Sequence, residues 1–78
     1  MNNELQDFLE DIIMLLQDKY NESLAAAKKP TGEADAAFEQ GRNSAYYDVL
    51  ELISSQLSAF GYKFPQARLI VPELGKPL

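Results

Sequence analysis

Four side chains between positions 42 and 56 are of types that recognise ligands or partners: Arg42, Tyr46, Tyr47 and Gln56. A guanidinium forks onto carboxylates and phosphates. A tyrosine joins an apolar ring to a polar hydroxyl, and a buried primary amide demands partners. The four-residue step from Arg42 to Tyr46 stacks the two on one helix face, where they would line an anion-recognising cleft or a small-molecule pocket. The plainer reading, which the sequence favours, lays the arginine stem over apolar surface and pairs its head with a carboxylate of a neighbouring segment. Tyr46 and Tyr47 diverge by about 100° on a helix. Tyr46 therefore flanks the apolar stripe, and Tyr47 projects toward Asn43, Glu51 and Ser54 as an interface anchor. Gln56 falls on the centre of the stripe, where it would fix the register of a bundle.

Composition removes most catalytic chemistry. The chain has no cysteine and no histidine, so thiolate metal sites, disulfides, the usual zinc ligands and the commonest general base are all absent. Serines are present, but none stands in a Ser-x-x-Lys arrangement that would activate it. No enzyme activity, cofactor or metal is expected. Glu4, Asp7, Asp11, Asp18 and Glu22 project within a narrow sector of a first helix and form an acidic ridge about 27 Å long at 1.5 Å per residue. A solvated outer face is its default explanation, and capture of a basic partner is the functional one. The net charge of −5 excludes a general nucleic-acid binder, which needs clustered Lys and Arg.

These residues require helices to position them. The first helix is expected over about 3–28, capped by Asn2 or Asn3 with Gln6 in capping-box position. Its apolar positions are Leu5, Phe8, Leu9, Ile12, Ile13, Leu16, Tyr20, Leu24 and Ala27, spaced by three and four. Lys28 and Lys29 suit its negative end, and Pro30 stops it. The turn is 29–32. Thr31 is expected to cap a second helix over about 33–60, with Glu33 and Asp35 in its first turn.

The stripe of that second helix is read as Ala34, Phe38, Gly41, Ala45, Val49, Leu52, Ile53 and Phe60, widened by Tyr46, Leu50 and Leu57. Gly41 costs roughly 1 kcal/mol relative to alanine in mid-helix. With Ala45 one turn on, it gives a small-residue step suited to close approach of another helix. Gly41, Arg42, Ala45, Tyr46, Tyr47, Leu50 and Gln56 are thus the candidate interface. Gly61 stops the helix and Tyr62 folds back on its last turn. The tail, 62–78, is broken by Pro65, Pro72, Gly75 and Pro77 and is expected to lie across the hairpin as a short helix or extended segment with loose last residues.

From Phe38 to Gly61, the residues Gly41, Arg42, Ala45, Tyr46, Tyr47, Val49, Leu50, Ile53, Gln56, Ala59, Phe60 and Gly61 make a pattern that resembles one found in small, uncharacterised bacterial proteins of helical-hairpin form. The resemblance covers about a third of the chain. It implies a bacterial or mobile-element origin and no activity.

The chain is therefore read as one all-α domain: an antiparallel two-helix hairpin with the tail across it. A chain of 78 residues buries only a modest core, and small domains without disulfides or metals commonly gain stability by oligomerising. The apolar face of the second helix is broader than one neighbour needs. Dimerisation into a four-helix bundle, as a non-catalytic interaction or assembly module, is the leading expectation. The alternative is a small acidic inhibitor of phage or plasmid type that binds a basic surface of a nucleic-acid-handling complex. No apolar run approaches membrane-spanning length and the first residues lack a signal-peptide pattern, so a cytoplasmic location without membrane contact is expected.

Overall fold

Two helices account for nearly all regular structure in the computed structural model, which describes residues 3–29, 32–61 and 70–78. They are α1, Asn3–Ala27, and α2, Glu33–Ala59, packed against each other, with no strand among the described residues. Contacts of Asn43 with Tyr20 and Ser23, and of Arg42 with Glu22, set the pair antiparallel in a fixed register.

The ends of both helices have local causes. The last turn of α1 tightens, with Lys28 N–H donating to Ala25 O and Lys29 N–H to Ala26 O, before the Pro30 position that cannot donate. The N-cap of α2 is Gly32, in extended conformation with no side-chain cap bond. Thr31, the expected cap, lies outside the described residues. Glu33 and Asp35 still place negative charge against the positive helix end. At the far end Gly61 takes φ 72° and donates to Ser58 O at 3.0 Å, the backbone arrangement expected of a glycine stop. Tyr62 is outside the described residues. The Gln6 amide donates to Glu10 at 3.0 Å; Asn2, the residue before α1, lies outside the described residues, and the capping-box expectation with it.

The core is thin. Ile13, Tyr20 and Leu24 from α1 and Leu50 from α2 are its buried hydrophobic residues, with Ile12, Leu16, Tyr46, Tyr47, Ile53, Leu57 and Ile70 packed around them. The radius of gyration is 14.2 Å, against about 11.5 Å expected for a compact chain of this length. An elongated hairpin has much surface for its volume, so few side chains can leave water completely.

The face that α2 turns to α1 differs from the sequence expectation. Its centre line runs through Asn43, Leu50 and Leu57, a seven-residue step, and not through Gly41, Ala45, Val49, Leu52 and Gln56. Those five are exposed, as are Phe38 and Phe60. Apolar residues occupy two adjacent sectors of α2. The richer one points away from α1, because Asn43 finds buried hydrogen-bond partners on α1 that no apolar side chain could use.

Candidate functional site

Helical geometry gives the hairpin two unlike broad faces. At about 100° per residue, Gln17 and Asn21 lie to one side of the α1 core line, and Gln40 and Ser44 lie to the same side of the hairpin on α2. The tail 70–78 covers this side. Gln17 donates to Ile70 O at 3.2 Å and the Tyr20 hydroxyl to Lys76 O at 2.9 Å. The Asn21 amide takes both backbone groups of Leu78, donating to its O at 3.2 Å and accepting from its N–H at 2.8 Å. The last residue, expected to be loose, is thus tied to α1. The described part of the tail carries no helix; side chains of α1 bond the backbone of Ile70, Glu73, Lys76 and Leu78, and Lys76 N–H donates to Glu73 O within the tail. Pro72 is buried there, a position where a missing N–H costs nothing.

Between this face and the core sits a polar junction. Asn43 Nδ2 donates to Tyr20 O at 3.0 Å and to Ser23 Oγ at 3.2 Å, and Ser23 Oγ donates to Tyr20 O at 2.9 Å. Tyr20 O is an acceptor only, so the orientation of the Asn43 amide is fixed by its neighbours. Ser23 and Asn43 are both buried. The sequence reading had placed Asn43 on the solvent side.

No other described segment covers the opposite broad face, which is apolar. From α1 it carries Leu5, Phe8 and Leu15, and from α2 it carries Phe38, Val49, Leu52 and Phe60, all exposed. Gly41 and Ala45 are exposed beside them, and a Cβ built on Gly41 meets nothing within 4 Å. Within one chain the Gly41–Ala45 step therefore brings no helix close. Gln56 is exposed on this same face, so it does not register the hairpin; that role falls to Asn43. Comparison of the chain with protein-family models, curated proteins and solved structures finds no match. The faces themselves must carry the functional reading.

The remaining sequence candidates distribute as follows. Arg42 pairs with Glu39 at 2.9 Å and reaches Glu22 at 3.8 Å, while its guanidinium stands 5.7 Å from the centre of the Tyr46 ring. Hydrogen bonding to Tyr46 does most to raise its pKa above the ordinary value, with burial opposing and Glu39 adding to the rise. Tyr46 is half-buried against the core, and so is Tyr47, which was expected to project outward. Leu50 is fully buried; it holds α2 to α1 and presents nothing to a partner.

Glu4, Asp7, Asp11, Asp18 and Glu22 are all exposed. They run along the outer edge of α1, and among the described residues Glu22 alone of them joins an ion pair, with Lys19 and Arg42. Among the described residues no group of three or more His, Cys, Asp or Glu could hold a metal, and no helix is long and apolar enough to cross a membrane. A cleft of about 360 Å³ lies between the helices and the tail turn, lined by Leu24, Lys28, Asn43 and Leu74 among others. A smaller one of about 170 Å³ lies beside Asn21 and Pro77. Arg42 and Tyr46 line neither.

The residues that sequence reasoning missed are Gln17, Asn21, Ser23 and Asn43, all polar. Gln17, Tyr20, Asn21 and Leu24 share one helix face by their steps of three, four and seven, which marks a side able to hold an extended backbone. Asn43, Leu50 and Leu57 share a second seven-residue line on α2.

Proposed function

We propose that this protein is a non-catalytic assembly module that works as a homodimer, with the bare face of each hairpin buried against the other in a four-helix bundle. The observation that carries the proposal is the set of large apolar side chains exposed on the face opposite the tail, among them Phe8, Leu52 and Phe60. On the scale of ~200 Å² for a large exposed side chain, Leu5, Phe8, Leu15, Val49, Leu52 and Phe60 expose on the order of 600 Å² per copy. Two copies then bury about 1,200 Å², which enters the range of specific interfaces. That area stands at the upper end of the largest apolar patch a monomer usually exposes, about 300–600 Å², and patches of that size are often functional.

Light scattering coupled to size-exclusion chromatography tests this directly. The wild-type chain is expected at twice its 8.7 kDa mass. Leu52→Asp, exposed in the hairpin, is expected as a monomer of unchanged helicity. A wild-type chain that stays monomeric at every accessible concentration overturns the dimer.

A second reading rests on the outer edge of α1, where Asp7, Asp11 and Asp18 are exposed and pair with no cation among the described residues. Such an edge suits a basic protein surface. The two readings respond oppositely to salt.

A further inference from the structure

The bare face is not symmetric along the hairpin, and this decides how a second copy can sit on it. Asn43 stands level with Tyr20 and Ser23, and Arg42 with Glu22. In an antiparallel pair each step up one helix is a step down the other. Leu15 is therefore level with Val49, Ile12 with Leu52, Phe8 with Gln56 and Leu5 with Phe60. All of the exposed apolar residues of α1 on this face lie toward the open end of the hairpin. Toward the turn the same face carries Lys19 and Arg42, with Glu22 reaching in to Arg42 from the outer edge of α1 and Phe38 beyond them.

A two-fold axis perpendicular to the helices would lay the open end of one copy over the turn end of the other. Phe8 and Leu52 would then face Lys19, Glu22 and Arg42, which buries charge against apolar surface. An axis parallel to the helices lays open end on open end. We infer that the second copy docks with its two-fold axis along the helices, so that α1 of each copy packs lengthwise on α2 of the other.

Each apolar side chain then meets the level partner it already flanks within its own hairpin. Phe8 lies over Gln56 of the second copy, Ile12 over Leu52 and Leu15 over Val49. Toward the turn Glu22 meets Arg42 of the second copy, so the charged half is matched as well. Every helix in this bundle is antiparallel to both neighbours, which sets helix dipoles head to tail. The apolar sector of α2 that the hairpin leaves uncovered is filled along its whole length, including the flat surface at Ala45, which would sit over Lys19.

This inference rests on the homodimer proposed above, and disulfide trapping separates the two. The chain has no cysteine, so single cysteines report on intermolecular distance alone. Lys19→Cys and Ala45→Cys, both exposed on the bare face and level with each other, are made separately, mixed, allowed to exchange subunits and mildly oxidised. The expected result is a disulfide-linked species in the mixture at least tenfold above that in either variant alone. Leu52→Cys by itself is expected to give none. Efficient self-linking of Leu52→Cys with none in the mixture would replace the parallel axis by a staggered perpendicular one and overturn the inference, leaving the dimer intact. A monomer by light scattering removes both.

Discussion

Replacing Asn43 by alanine tests whether the polar junction sets the pairing of the helices. Asn43→Ala removes two buried hydrogen bonds, to Tyr20 O and to Ser23 Oγ. Each contributes about 1 kcal/mol net. The acceptors are not orphaned, because Ser23 Oγ still donates to Tyr20 O at 2.9 Å, so the larger penalty for a stranded buried group does not arise. The small void left by the lost carboxamide adds on the order of 1 kcal/mol. The expected destabilisation is about 2–3 kcal/mol, a large share of the ~5–15 kcal/mol that holds a domain folded. For a chain of this size it lowers Tm by about 10–20 °C. Urea titration followed by far-UV circular dichroism reads it, at one fixed protein concentration because dimerisation adds to apparent stability. The double variant Ser23→Ala/Asn43→Ala should lose less than the sum of the single losses, since the two side chains share a bond. If Asn43→Ala stays within about 0.5 kcal/mol of wild type, as a surface substitution would, the junction does not set the register, and the residue levels inferred from it lose their basis.

Gly41→Ala is expected to stabilise the chain by about 1 kcal/mol, since alanine is the better helix former and the added Cβ meets nothing within 4 Å; a drop in Tm on thermal melting would reveal a close helix approach at Gly41. Two copies each of net charge −5 repel, so the dimer should tighten as NaCl shortens the screening length from about 30 Å at 0.01 M to about 8 Å at 0.15 M. Sedimentation equilibrium across that range measures it, and a dimer that loosens with salt would mean that charge and not apolar burial holds the interface. Capture of a basic partner by the Asp7, Asp11 and Asp18 edge would weaken over the same range.

The two helices and their ends were legible because local rules fix them. Gly61 stops α2 whatever packs on it and α1 ends at Ala27, shortly before Pro30; the spacing of Ile13, Leu16, Tyr20 and Leu24 marks the inner face of α1, although Leu5 and Phe8, read on the same stripe, are exposed. α2 was harder. Its apolar residues spread over more than half of the helix circumference, and a centre line drawn through the most hydrophobic of them passes through Gly41, Ala45 and Gln56. The true inner line passes through Asn43, a residue whose type argues for solvent. Only the partner atoms on α1, a backbone carbonyl and a serine hydroxyl, make burial of that amide favourable, and no periodicity in α2 reveals them. The same holds for Tyr47, half-buried against the core, and for Gln17 and Asn21, whose partners are backbone groups more than fifty residues away in the chain.

That misreading of α2 has a physical source that bears on assembly. A helix with one partner needs one apolar sector, and an inner line that already uses Asn43 and Glu39 gives up part of its hydrophobic driving force to polar pairing. The residues Phe38, Val49, Leu52 and Phe60 do not repair that deficit within the chain, because they point about a quarter-turn or more away from α1. Leu5, Phe8 and Leu15 are displaced to the same side of α1. Displacement of both helices' surplus toward one face, while the other face is occupied by the tail through Gln17, Tyr20 and Asn21, divides the labour between two surfaces. Specific pairing within the chain comes from amide and hydroxyl groups that accept only one register. In the dimer proposed above, bulk apolar burial is left for a second copy, whose surface carries the same lengthwise order of apolar and charged groups.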